Sequence, residues 1–346
     1  MKQITFLVLF AFAFYSCQKN ELGKASDTVK ELAPNLYCMT VEGDAGFSNF
    51  IEKGGASSAD DISEYLSDFL SKGPYGKIET KVNVSGFACS ALSIDNADKT
   101  GRLTGRNYDW KECKTIIIKN IPHQGYASLS TVNLDFIGYG DDYTPIGLIN
   151  GIKAVAGVYV PMDGINEKGL VVADLMAGDT EVTNQKTDKK DLTTTTAIRL
   201  LLNKASSTKE AVKLLGEYDM HSDIGTAHHL FISDASGESV CVEWVNSEMI
   251  VTSTDVLNNH YLCEQKKGIG SGELSWKHET ILLNAKKSHP EGMSIDDLTE
   301  AMFDASVTKA QNKDDYTQWT IVFDQIDLSA TWYYRSDRTK SYKFSF

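Results

Sequence analysis

The chain has 346 residues, with 47 Asp and Glu against 34 Lys and Arg, a formal net charge of −13. No cluster of basic residues offers the cationic face that a phosphate backbone needs, which excludes a nucleic-acid partner. Hydrophobic residues make up 42% of the chain, enough to bury one large core or two modest ones, so global disorder is excluded as well.

The chain opens with an apolar run from Ile4 to Tyr15 behind Lys2, closed by Ser16-Cys17-Gln18. The run is too short to span a bilayer and has the layout of an export signal. A small residue followed by Cys at its end is similar to a bacterial lipoprotein signal. That implies residues 1–16 as signal peptide, lipidation of Cys17, and an exported protein anchored to a membrane in the periplasm or at the cell surface. Ordinary signal cleavage nearby is the plainer alternative. Of the six cysteines, setting Cys17 aside leaves Cys38, Cys89, Cys113, Cys241 and Cys263, an odd number, so at least one thiol is unpaired within the chain. No two have the close spacing of a zinc ligand pair or a redox dithiol, so neither a metal nor a cofactor is expected.

After a polar stretch over 18–30, residues 36–41 read as a strand and 59–71 as an amphipathic helix. From Lys81 onward β patterns dominate, over 82–94, 102–110, 152–160, 169–176, 229–233 and 239–245. Helical spacing recurs over 195–205, 209–218, 276–287 and 295–305, and strands over 318–323, 329–335 and 341–346 close the chain. The threonine-rich segment 183–196 reads as a surface loop that overhangs a pocket. Hairpin-linked strands with paired helices between them predict an α+β fold, a four-layer α/β/β/α sandwich of antiparallel sheets.

A turn over Asn96 to Gly101 makes a hairpin of 82–94 and 102–110, which brings Cys89 beside Arg106 and Asp109. A thiol with a guanidinium close by is the setting that lowers a thiol pKa and makes it nucleophilic. The plainer readings are a small buried hydrophobe for Cys89 and a structural ion pair for Arg106 with Asp109. His228 and His229 are adjacent on a strand, so they point to opposite faces and cannot together hold one ion.

Cys89-Ser90-Ala91, Gly105 to Trp110, Asp163 to Leu170, His229 to Gly237, Val256 to His260 and Thr317 to Thr320, in that order, resemble the choloylglycine hydrolase and linear amide C–N hydrolase family. Penicillin V acylases, bile salt hydrolases and acid ceramidase belong to it. The resemblance implies an N-terminal-nucleophile hydrolase domain over 89–346, with the cysteine as first residue of the mature chain. Residues 17–88 are then a leader, cut off when the Cys89 thiol attacks the carbonyl of Ala88. The freed α-amino group, with a reference pKa of about 7.7 to 8.0, becomes the general base.

By the same resemblance Asp109 orients that amine, Arg106 stabilises the thiolate and developing charge, and Asn259 donates its amide to the oxyanion, aided by the Met176 backbone N–H. Asn258 is adjacent, and the choice between the two asparagines stays open. Lys277 takes a place where many members carry arginine, and reads equally well as a solvated helix residue. Met176 stands where bile salt hydrolases have asparagine, which leans toward fatty acyl amides. The implied activity is a self-processing amidohydrolase that cleaves a small N-acyl amide (a fatty acyl amide, bile acid conjugate or penicillin V-like molecule) through a thioester on Cys89. The rival is an inactive surface lipoprotein of the same fold that binds a ligand. The sequence leaves a homo-oligomer open.

Overall fold

The computed structural model of the protein describes residues 21–84, 88–178, 181–223, 225–270 and 272–346. Helical residues 21–27 (α1) lead into a hairpin of β1 (Lys30–Ala33) and β2 (Leu36–Glu42), followed by α2 (Phe47–Glu52) and α3 (Ala59–Ser71). α3 falls where the spacing places it: Ile62, Leu66 and Leu70 line its buried face, and the Ser58 hydroxyl accepts the Asp61 N–H to cap its start. Next come β3 (Ala88–Asp95), β4 (Arg102–Trp110), β5 (Thr115–Ile121), β6 (Ser128–Asn133), α4 (Leu148–Ala154), β7 (Asp163–Asn166) and β8 (Val171–Met176). Then follow β9 (Lys190–Thr193), α5 (Thr194–Lys204), α6 (Thr208–Leu215), β10 (Tyr218–His221), β11 (His228–Ser233), β12 (Ser239–Val245), β13 (Glu248–Ser253) and β14 (Val256–Leu257). α7 (Gly272–Ser288), α8 (Ile295–Asp304), β15 (Tyr316–Asp324), β16 (Ser329–Tyr334) and β17 (Ser341–Ser345) complete the chain.

Three readings need correction. Residues 152–160 are not a strand but the end of α4 and a 3₁₀ turn over Val155–Tyr159. A fully buried apolar run carries no period to separate the two, and every residue of this turn is buried. The segment 183–196 is not one surface loop: 190–193 form β9, parallel to β10, and buried Thr193 closes a capping box with Thr196 at the start of α5. The strand expected over 82–94 begins only at Ala88, and residues 85–87 lie outside the described ones.

The strands form a nine-stranded sheet in the order β1-β2-β5-β6-β7-β8-β11-β12-β13 and a six-stranded sheet in the order β14-β3-β4-β15-β16-β17, with β9 and β10 as a separate pair. Pairing in both large sheets is antiparallel except between β2 and β5. α5 packs on β7 and β8, while α7 and α8 pack on β3, β4 and β15. The two sheets face each other through Trp332, whose indole donates to Thr131 Oγ1, and Trp319, whose indole donates to Asp163. The result is the expected α/β/β/α order of layers. α8 lies so close over β4 that a Cβ on Gly105 would stand 2.5 Å from Met302.

The segment preceding Ala88 is built into this body. β2 pairs with β5 over its whole length, from Leu36 against Thr115 to Glu42 against Ile121. Leu36, Met39, Val41, Phe47, Phe50, Leu66 and Leu70 are buried in one core with residues of both large sheets.

Candidate active site

Strand register places the nucleophile candidate. In the β3–β4 ladder Cys89 lies opposite Tyr108, Ala91 opposite Arg106 and Ala88 opposite Asp109. Side chains alternate along a strand, so Cys89, Arg106 and Tyr108 share the face turned toward the nine-stranded sheet, and Asp109 points to the helix side beside Ala88. The hairpin therefore brings Arg106 to the sulfur, and Asp109 to the bond that precedes it.

Arg106 is fully buried and anchored from several sides. Its Nε lies 2.9 Å from Asp163 Oδ2, its Nη2 donates to the Asp174 carbonyl at 3.0 Å, and its guanidinium carbon sits 4.9 Å from the Tyr108 ring centroid. Tyr108 is stacked at 3.9 Å on Trp319. The third nitrogen, Nη1, is buried without a hydrogen-bond partner among the described residues. Burial pushes the Asp163 carboxyl up, and Arg106 opposes that shift.

Cys89 is completely buried, and in the continuous chain burial pushes its thiol up, outweighing the lowering by Arg106; the carboxylates of Asp109, Asp174 and Asp163 push it further the same way. The expectation of a lowered thiol pKa is thus overturned for the uncut chain, because desolvation of the thiolate exceeds the attraction of one guanidinium that is already paired. Asp109 is also buried. Its Oδ1 accepts the Thr317 hydroxyl at 2.5 Å, its Oδ2 has no partner among the described residues, and burial pushes it up to about 7.

Asn259, in the segment after β14, comes to the same point from far along the chain. Its Oδ1 accepts the Cys89 N–H at 2.7 Å, its Nδ2 donates to the Met176 carbonyl at 2.7 Å, and its own N–H donates to Ser275 Oγ at 2.8 Å. Between the two asparagines left open above, Asn259 is the one at the cysteine. In this state its amide clasps the nitrogen of Cys89 rather than facing an open oxyanion site, and Met176 contributes its carbonyl to that clasp.

Lys277 is not part of the cluster. It lies exposed on α7 and makes no hydrogen bond or ion pair among the described residues, because the helix turns Ser275 and His278 inward instead. Cys17 lies outside the described residues. The sequence reading missed Asp163, Asp174 and Thr317 as partners of the site. Asp163 and Thr317 stood inside quoted motifs, whereas only the β8 register reveals Asp174. His228 and His229 diverge as expected, His228 to Asp174 at 2.8 Å and His229 to Glu243 at 3.1 Å.

Residues 89–261 match the family model described as linear amide C–N hydrolases, choloylglycine hydrolase family. The chain belongs to this family. The match begins at Cys89 itself. Among solved structures the chain is similar to a penicillin V acylase from Agrobacterium tumefaciens, at 16% identity and a TM-score of 0.51, covering 71% of this chain and 83% of that one. It is also similar to a conjugated bile acid hydrolase from Clostridium perfringens in two variant forms, at 16% and 17% identity, each with a TM-score of 0.53, covering 75% and 74% of this chain and 92% of each of those. These likenesses show a shared N-terminal-nucleophile hydrolase fold. No curated protein sequence matches the chain. As a member of the choloylglycine hydrolase family, the protein is a linear amide C–N hydrolase.

Proposed function

We propose that the protein matures by cutting its own chain before Cys89 and then hydrolyses a small N-acylated amine through a thioester on that residue. The observation that carries this reading is the convergence on Cys89 of a buried guanidinium, a carboxyl pushed up to about 7 beside Ala88, and the Asn259 amide on the nitrogen that cleavage would free. In the first step the Cys89 sulfur adds to the Ala88 carbonyl, the C–N bond breaks as its nitrogen takes a proton, and water resolves the thioester to leave a carboxylate on Ala88 and a free amine on Cys89. Asp109, close to that bond and with an uncommitted oxygen, is the group placed to pass the proton.

In the mature site the amine takes the proton of its own thiol, the thiolate attacks the substrate carbonyl, and the same group protonates the leaving amine. Arg106 offers its unpartnered Nη1 to the developing charge. Asn259 holds the amine through its Oδ1 and turns its Nδ2 toward the oxyanion. The substrate joins an apolar acyl group to a polar amine, with fatty acyl amides favoured over conjugated bile acids. We assign Cys17 the role of a lipid anchor that holds the exported protein to a membrane.

Intact-mass analysis tests the first step: wild type should yield two chains meeting at Ala88/Cys89, and Cys89→Ala a single uncut chain. Wild type that stays whole would leave no base for the reaction and favour the inactive binding protein. A panel of long-chain acyl amides, penicillin V and glycine- or taurine-conjugated bile acids then ranks substrates, and acyl labelling that Cys17→Ser abolishes tests the anchor.

A further inference from the structure

His229 of β11 and Cys241 and Glu243 of β12 gather on one face of the sheet, and all three are fully buried. Glu243 Oε1 accepts the Leu262 N–H at 2.9 Å and lies 3.1 Å from His229 Nδ1, while Oε2 accepts the Cys263 N–H at 2.8 Å. His229 Nε2 lies 2.8 Å from the Asn258 carbonyl, and Cys241 Sγ lies 3.6 Å from Nδ1. Both ring nitrogens thus face oxygen atoms, one on Glu243 and one on the Asn258 backbone.

Apart from Cys241 on the neighbouring rung, the hydrogen-bond partners of this pair among the described residues fall on one segment. Asn258, Leu262 and Cys263 bracket Asn259, the residue whose amide spans the Cys89 nitrogen and the Met176 carbonyl. A buried polar pair is a poor source of stability compared with apolar packing, but it fixes geometry where a greasy contact would let the segment slide. We propose that the buried Glu243–His229 pair is a positioning device for the reaction, pinning residues 258–263 so that the Asn259 amide stays on the Cys89 nitrogen. Neither residue touches the reacting atoms. The inference rests on the self-cleavage reading above.

The three donor atoms also lie within 4.8 Å of one another, a spacing that a metal cation accepts. Against a cation, each Glu243 oxygen already takes a backbone N–H, and His229 Nε2 faces the Asn258 carbonyl.

The test is a coupling measurement on the full chain. Self-cleavage is timed for wild type, Glu243→Gln, Asn259→Ala and the double variant, alongside thermal melting. Glu243→Gln should slow self-cleavage about 10²-fold, the scale on which a small misplacement acts, and the mature fraction should show a lowered kcat with KM little changed. In the Asn259→Ala background the same substitution should cost less than about threefold, because the contact it serves is gone. If Glu243→Gln does not fold, His229→Gln is carried through the same cycle. Losses that multiply independently in the double variant, or wild-type rates in a folded single variant, overturn the proposal. So does one equivalent of zinc per chain in the purified protein. Wild type that never cuts defeats the self-cleavage reading itself, and the positioning role with it, whereas wild type that cuts with independent losses defeats the positioning role alone.

Discussion

Asp109 and Arg106 are where single side chains decide behaviour. A carboxyl held at about 7 in the folded chain, against about 3.9 unfolded, contributes stability in full below the unfolded value and loses it as pH rises through about 7. Wild type should therefore lose stability between about pH 4 and about pH 7, and level off above that, relative to Asp109→Asn, whose amide carries no charge to bury; melting across that range checks it. The same substitution should remove the inflection near 7 from the pH profile of self-cleavage. Arg106→Met leaves Asp163 charged and unpaired in the core, so it should cost about 3–5 kcal/mol in chemical denaturation as well as the activity. Lys277→Ala, on an exposed turn of α7, should leave rate and stability close to wild type. At this scale the sequence was readable where chemistry sits in a short motif: Cys89, Arg106 and Asp109 span one hairpin. The thiol was misjudged because burial is set by the opposing sheet, which no local motif records. The role of Asp174 escaped because its backbone carbonyl, not its side chain, meets Arg106.

Among elements, the segment ahead of the nucleophile behaves as a strand donor. β2 occupies the sheet beside β5 over seven residues, and Phe47, Phe50, Leu66 and Leu70 pack into the shared core. If the chain is cut before Cys89 as proposed, removing that segment would expose this apolar surface, at about 1.5–3 kcal/mol for each large side chain. The two chains should therefore co-elute in size-exclusion chromatography under native conditions and separate only in denaturant. A leader lost in native buffer would contradict the role of β2 in the sheet. An amphipathic element such as α3 was legible because a half-buried surface writes its period into the sequence. The run 152–160, buried on every side, writes none, and the same is true of Ile116, Ile117 and Ile118 in β5, which the sequence reading passed over.

As a whole, the molecule is held by two stacked sheets and their helices, with no disulfide among the described residues. Cys38, Cys89, Cys113, Cys241 and Cys263 are all free. Thiol titration in guanidinium should count five for a chain lacking Cys17, without prior reduction, and a reductant should leave the melting curve of the native protein in place. The layer order was legible because hairpins and paired helices alternate along the chain. The order of strands was not, since β8 pairs with β11 and β4 with β15 across long separations that a single sequence does not encode.

The clasp on the Cys89 nitrogen joins residues 170 positions apart in the chain. A nascent polypeptide that has emerged only as far as the thiol therefore holds a nucleophile with no hand on its backbone. On the proposed self-cleavage, a cut that relies on this clasp comes only after Asn259 has been made and folded back, long after the residues of β2 have left the ribosome.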